Sequence, residues 1–308
     1  MKSRFAQGAA AVLAAVVLWG AQFPIAKDAF AIVDPFHVTA IRYGIGTVLL
    51  MLLLAWREGG SALRYYGKFG PAMLFGFIGM CCSPVLVFFG ISLSRPEHAV
   101  IIVALQPSMT ALADWAVRGR RPSNFTLACV AVAFVGVLTV VTKGNPALMF
   151  GQGELAGDLL VLLGSTCWIA YTMAMESFRG WSALRFTVLT LIPGTLGTFA
   201  VTAALVATGK ISVPGAAALA SIGWELVYLT LGGIVIGMVC WNAGNQIIGA
   251  LNTMLLVNLM PVVTFGFRFA QGARFEAIEL AGAALVIGSL MANNLYLRWM
   301  TARLHARQ

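Results

Sequence analysis

Few residues in this chain could do covalent chemistry, and their spacing does not support it. The three histidines, His37, His98 and His305, lie at or near the ends of apolar segments. No HExxH and no GxSxG is present, so neither a metalloprotease helix nor a nucleophile elbow is encoded. Five cysteines, Cys81, Cys82, Cys129, Cys167 and Cys240, fall inside apolar runs without CxxC spacing. They read as small hydrophobes. The sequence thus offers no catalytic residue, no metal ligand set and no cofactor motif. The chemistry it does offer is binding. "VALQPSMTALADW", Val103 to Trp115, places Gln106, Pro107, Ser108, Thr110 and Asp114 inside an apolar run. "VNLMPVVTFGFRF", Val257 to Phe269, places Asn258 and Pro261 in a matching one. Proline removes one helical N–H bond and frees the carbonyl four residues back, at Val103 and at Val257. A free carbonyl at membrane depth is tolerated only against protein or a water-filled cavity. Each proline marks either a solute-lined break or a packing kink.

Other polar groups fall on helical stripes. Trp19, Gln22, Phe23 and Ala26 share one face, and Trp168, Tyr171, Thr172 and Met175 share another. Aromatic rings with an amide or hydroxyl suit a small amphipathic ligand; the tryptophans alternatively belong to an interfacial belt. Gln106, Thr110 and Asp114 form one stripe, matched by Met260, Thr264 and Arg268, while Asn242 and Gln246 lie one turn apart. These groups line a wet cavity or bond between helices. Candidate substrate-binding residues are Trp19, Gln22, Gln106, Pro107, Trp168, Tyr171, Asn242, Gln246, Asn258 and Pro261. Arg42 and Asp114 are structural or gating charges. Arg42 is expected to snorkel and reach a loop carbonyl or carboxylate, the alternative being a carboxylate of the substrate, and Asp114 to pair with Arg118 one turn on. His98 reads as a solvated helix end.

The elements that must hold these residues are membrane helices. The chain is 60% hydrophobic and 10% charged, against about 45–50% and about 25% in soluble domains. The net charge of +9 does not indicate nucleic acid, because no soluble segment clusters the bases. Ten spans of about 20 residues are expected: 6–26, 36–56, 71–92, 98–117, 124–142, 155–175, 185–207, 224–247, 251–270 and 276–297. The junction "IGALN" between the eighth and ninth has no charge and is the weakest boundary. With the N-terminus in the cytoplasm, thirteen Lys and Arg fall inside and six outside, which orients both termini inward. The N-terminal apolar run reads as an uncleaved first helix rather than a leader.

The chain repeats itself. A shift of 154 puts Gly90 on Gly244, Val103 on Val257 and Pro107 on Pro261. A shift of 149 puts Trp19 on Trp168, and one of 143 puts Arg42 on Arg185. The expectation is two five-helix repeats, 1–145 and 153–308. Five is odd, so the second half enters the membrane inverted. The fold class is an all-α membrane protein of ten transmembrane helices as two inverted repeats. In that architecture the substrate site lies near the midplane between the halves.

"LWGAQFPIAK" and its partner "CWIAYTMAME", Arg42 and Arg185, and the "QP" and "MP" prolines followed by a Gly-rich helix together resemble the drug/metabolite transporter superfamily, specifically its EamA-type ten-helix exporters. The likeness covers essentially the whole chain. One departure is "RGRRPS" between helices four and five, which lacks the acid common there; the second half keeps Glu276. The resemblance implies export of amino acids or other small metabolites from the bacterial cytoplasm, nearest in character to the aromatic amino-acid exporters. The expected protein is a multi-pass transporter of the bacterial inner membrane. Its partners are a small-molecule substrate and the lipid bilayer, not nucleic acid, and a monomer would suffice. With no carboxylate at mid-membrane, facilitated or weakly proton-coupled transport is expected. The rival readings are a multidrug or other metabolite exporter, a non-saturable channel and, least favoured, an intramembrane enzyme.

Overall fold

The computed structural model describes residues 2–145 and 154–305; the side chains of Gln246 and Val257 are among those outside the description. Eleven helices carry the architecture among these residues. They are α1 (Lys2–Phe30), α2 (Pro35–Glu58), α3 (Phe69–Leu93), α4 (Pro96–Ala104), α5 (Gln106–Arg118), α6 (Asn124–Thr142), α7 (Glu154–Ala174) and α8 (Ala183–Ala207). Then α9 runs through Gly223–Val227, a π-helical stretch at Tyr228–Ile236, and Gly237–Val257. It is followed by α10 (Met260–Ala270) and α11 (Ala277–His305). The described residues contain no strand.

Hydrocarbon cannot hydrogen-bond, so a spanning chain must satisfy its backbone within helices. Helix starts use local caps: the Asp34 carboxylate accepts from the N–H groups of Phe36 and His37. The Ser123 and Ser182 hydroxyls accept from Thr126 and Arg185. Large apolar side chains point outward along the spans, including Val48, Leu52, Leu138, Leu163 and Leu196. A water-soluble domain could not carry that belt; a bilayer requires it.

Among the described residues eight helices are long and apolar enough to span, and α4 with α5 makes a ninth, bent by 43°. The expected ten is therefore not reached by length. The expected junction at 247–251 stays helical inside Gly237–Val257, because no proline or charge ends the helix there. The ninth expected span is instead divided, its second part being α10, only 11 residues long.

The largest helix contacts pair α1 with the Gly237–Val257 part of α9, α3 with α7, α6 with α11, and α2 with α8. Glycines let the backbones approach at the first three of these crossings. A methyl on Gly244 would stand 2.7 Å from the Gly8 carbonyl and clash with Val12; one on Gly90 would stand 2.6 Å from the Gly157 carbonyl and clash with Val161. Gly157 follows Gly8 by 149 positions, and Gly244 follows Gly90 by 154. Thr47 and Thr195 share a hydrogen bond of 2.7 Å. Gly46 abuts Ile234 as Gly194 abuts Met80. These contacts relate α2 to α8 by an offset of 148, the distance from Thr47 to Thr195, and not by the 143 that aligns Arg42 with Arg185. An offset of 148 sets Arg42 against Thr190 rather than Arg185.

Gly136 and Gly282 pack reciprocally, each with the other's carbonyl 2.8 Å from its missing methyl. Gly282→Leu should separate α6 from α11 and destabilise by about 1–3 kcal/mol. Gly288→Ala, on the same helix with nothing within 4 Å, should be neutral or slightly stabilising. Survival of the monodisperse peak after heating in detergent measures both; equal behaviour of the two would contradict this packing.

Candidate functional site

Prolines inside helices expose carbonyls, and side chains of other segments take up two of them. Pro24 lies inside α1 and frees the Gly20 carbonyl. The Thr264 hydroxyl of α10 donates to it at 2.6 Å. Pro193 lies inside α8 and frees the Leu189 carbonyl, to which the Tyr65 hydroxyl donates at 3.1 Å. Two more bonds tie α1 to α9. Trp19 Nε1 donates to the Gly233 carbonyl at 2.8 Å, and the Tyr228 hydroxyl donates to the Leu18 carbonyl at 3.0 Å. The acceptor Gly233 sits in the π-helical stretch, where backbone groups are re-aimed. Trp19 also lies 5.2 Å from Trp241, ring to ring. Its indole therefore points into the bundle rather than to a lipid interface.

Gln22 and Arg42 flank the same turn. A methyl on Gly233 would be 3.1 Å from Gln22 Oε1 and 3.9 Å from Arg42 Nη1, with nothing else within 4 Å. Arg42 is 4% exposed. Its guanidinium lies 3.9 Å from the Phe88 ring centre and 5.1 Å from that of Tyr43. Its Nε has no hydrogen-bond partner, and no described residue forms an ion pair with it. The expected tie to a loop carbonyl or carboxylate is not what the structure shows. Arg185 makes such a tie instead, donating from Nη2 to the Arg64 carbonyl at 2.6 Å.

The other expected residues divide. Tyr171 is packed: it stacks on Phe186 at 4.9 Å and its hydroxyl lies 3.2 Å from Thr190 Oγ1. Trp168 is half-buried beside it, 5.3 Å away. Thr172 and Met175 face outward, and Thr172 bonds back to its own Trp168 carbonyl. Phe23 and Ala26 are core. Asn242 Nδ2 reaches Thr187 Oγ1 at 3.4 Å. Gln106 and Pro107 are half-buried at the 43° bend between α4 and α5. Asn258 is 1% exposed with neither amide atom partnered, and Pro261 is buried at the start of α10. The Gln246 side chain lies outside the described residues. Asp114 pairs with Arg118 at 3.1 Å, both partly exposed.

Sequence reasoning missed a charged cluster at one end of the bundle. Glu97 is 1% exposed and takes Arg268 Nε at 2.9 Å; Arg95 Nη1 donates to Glu279 at 2.6 Å. Burial alone would lower the Arg95 pKa, but the bond to Glu279 and the nearby Glu97 and Glu154 hold it above the ordinary value. Lys27 Nζ donates to the carbonyls of Ile91, Ser92 and Ser94 at 2.7–2.9 Å, closing the end of α3. His98 is not a solvated helix end: it is fully buried, with Nδ1 3.1 Å from Asp158 and 3.9 Å from Glu154. α4 drops into the bundle directly after Pro96, which carries His98 inward against α7. The acids and bases sit on or beside helices far apart in the chain, so only the alternation "SRPEH" hinted at the cluster.

The model of the EamA-like transporter family matches this chain twice, over residues 6–142 and 155–295. The chain belongs to that family. It is similar to the uncharacterized transporter YrdR of Bacillus subtilis (strain 168), 36% identical over 296 residues, covering 94% of this chain and 92% of that one. The uncharacterized transporter YyaM of the same organism is 27% identical over 275 residues, covering 88% of each. A solved crystal structure shares the fold, with a TM-score of 0.66 and 22% identity over 96% of this chain and 99% of its own. An EamA-like chain is a membrane transporter and not an enzyme, which fits a set of binding groups without a nucleophile–base pair.

Glu97→Gln should destabilise by about 1–3 kcal/mol, since Arg268 and Arg95 lose the charge they share. The double variant Glu97→Gln/Arg268→Gln should recover part of that loss, because an unpaired cation is worse than a neutral pair. Thermal survival in detergent decides it; a double variant worse than the sum of the singles would refute the coupling.

Proposed function

We propose that this EamA-like transporter exports small amphipathic metabolites, amino acids first among them, across the bacterial inner membrane by alternating access. The observation that carries the reading is the junction of α1 with the π-helical turn of α9. There, aromatic and amide groups of the first half meet a turn of the second beside a buried cation. Two family matches and paired glycine crossings support inverted repeats at 1–145 and 153–308. On this reading both termini are cytoplasmic, and the cluster of Glu97, Arg268, Arg95 and Glu279 closes the outer end. The half-buried Trp19, Gln22, Gln106, Pro107, Trp168 and Asn242 line the path. Tyr171, Asn258 and Pro261 back it, and Gln246 stays a candidate on sequence grounds.

Rocking one bundle against the other needs helices that slide, which small-residue crossings permit. The bend at Pro107 gives the first half a joint at the matching depth. Counterflow of labelled amino acids in proteoliposomes should be saturable. Trp19→Ala should lower it about tenfold or more by removing the bond to Gly233 and an aromatic wall; Trp168→Ala should lower it less. Flux that rises without saturation would favour the channel reading, and saturable exchange of drugs but not amino acids would move the substrate class.

A further inference from the structure

The two π-helical turns, Ile78–Cys82 and Tyr228–Ile236, contain Gly79 and Gly233, related by the same 154-residue offset as Gly90 and Gly244. What faces the two glycines differs. At Gly79 the Tyr171 ring occupies the space, so a methyl group would overlap it. The Tyr171 hydroxyl is then met by Thr190. At Gly233 the corresponding residues are Gln22, 149 positions before Tyr171, and Arg42, 148 before Thr190. They bring an amide oxygen and a guanidinium nitrogen to 3.1 and 3.9 Å from where a methyl on Gly233 would stand. One half closes its turn with a ring, and the other closes it with polar groups, one of them a cation.

That cation is unusual. Arg42 is 4% exposed, seven residues into α2, with Nε unpartnered and no ion pair to a described residue. A guanidinium presents five N–H donors in a planar fork. The rings of Phe88 and Tyr43 lie beside it and Tyr43 shares a side-chain hydrogen bond with it, but Nε keeps no partner and neither ring carries a counter-charge. Burying such a group without a counter-ion is costly. In a transporter a visiting anion can supply it.

We propose that Arg42 is the anchor for a carboxylate of the transported solute, received beside Gly233, with Gln22 orienting a second polar group and Trp19 supplying an apolar wall. The proposal rests on the transport reading above and narrows it to small carboxylates, amino acids included. Amines and neutral amides of the same shape fall outside it.

The full-length protein in detergent carries its own reporter, since Trp19 and Trp241 lie at the site. Quenching of tryptophan emission would be titrated with L-phenylalanine, 3-phenylpropanoate, L-phenylalaninamide and phenethylamine. The anchor requires both carboxylates to bind saturably, with the amide and amine weaker by about tenfold or more. Arg42→Gln should erase that preference, Arg42→Lys should keep part of it, and Arg185→Gln should leave it intact. The comparison within the wild-type protein stands even if a variant misfolds. Binding of phenylpropanoate without phenylalanine would uphold the anchor and overturn the amino-acid reading. Equal binding of phenylalanine and its amide would overturn the anchor and leave the amino-acid reading standing. Absence of saturable binding by all four would overturn both.

Discussion

Hydrocarbon offers no hydrogen bonds, and this molecule is organised around meeting that demand. Its helices satisfy most backbone groups themselves. Where Pro24 and Pro193 prevent it, a distant segment supplies a hydroxyl: Thr264 of α10 for the Gly20 carbonyl, and Tyr65 of the connection between α2 and α3 for that of Leu189. Where a helix ends, Lys27 supplies an ammonium to three carbonyls. These bonds are also the contacts between elements, so the rule that stabilises each helix positions it against its neighbours.

The places where the demand goes unmet are as informative. Arg42 and Asn258 are buried with polar atoms left over. Both lie near helix breaks or π-helical turns rather than in regular crossings. On the proposed reading, the solute is what completes them. The charged cluster at one end is ion-paired instead: Glu97 meets Arg268 and Arg95, and Arg95 meets Glu279, across several helices, although Glu97 Oε2 keeps no hydrogen bond.

Much of this was legible in the sequence. Composition and run length gave the membrane class, and the repeated proline in "QP" and "MP" gave the two halves, because both signals are local and periodic. The polar stripe of α1 was legible for the same reason, and Trp19 with Gln22 does face the second half. The stripe of α7 was not, since Tyr171 packs inward while Thr172 turns out. Spacing alone cannot say which side of a helix a neighbour will cover. The registers of Arg42 and His98 also depended on contacts between distant segments. The offset of α2 to α8 shows only through Thr47 against Thr195, and the burial of His98 only through Asp158, 60 residues on. The length of α9 was misjudged because "IGALN" has the composition of a loop and no residue that ends a helix.

The central claim is that access to a site between the halves alternates, with the ion-paired end closed when the other is open. Spin labels test it most directly, at Leu93 and Phe269 on the ion-paired end and at Val117 and Met175 on the other, all exposed positions. Distances would be measured in nanodiscs with and without a saturating transported solute. Alternating access predicts that the solute lengthens one distance and shortens the other, changing both distributions together. Two distributions indifferent to solute, or both moving in the same direction, would contradict it.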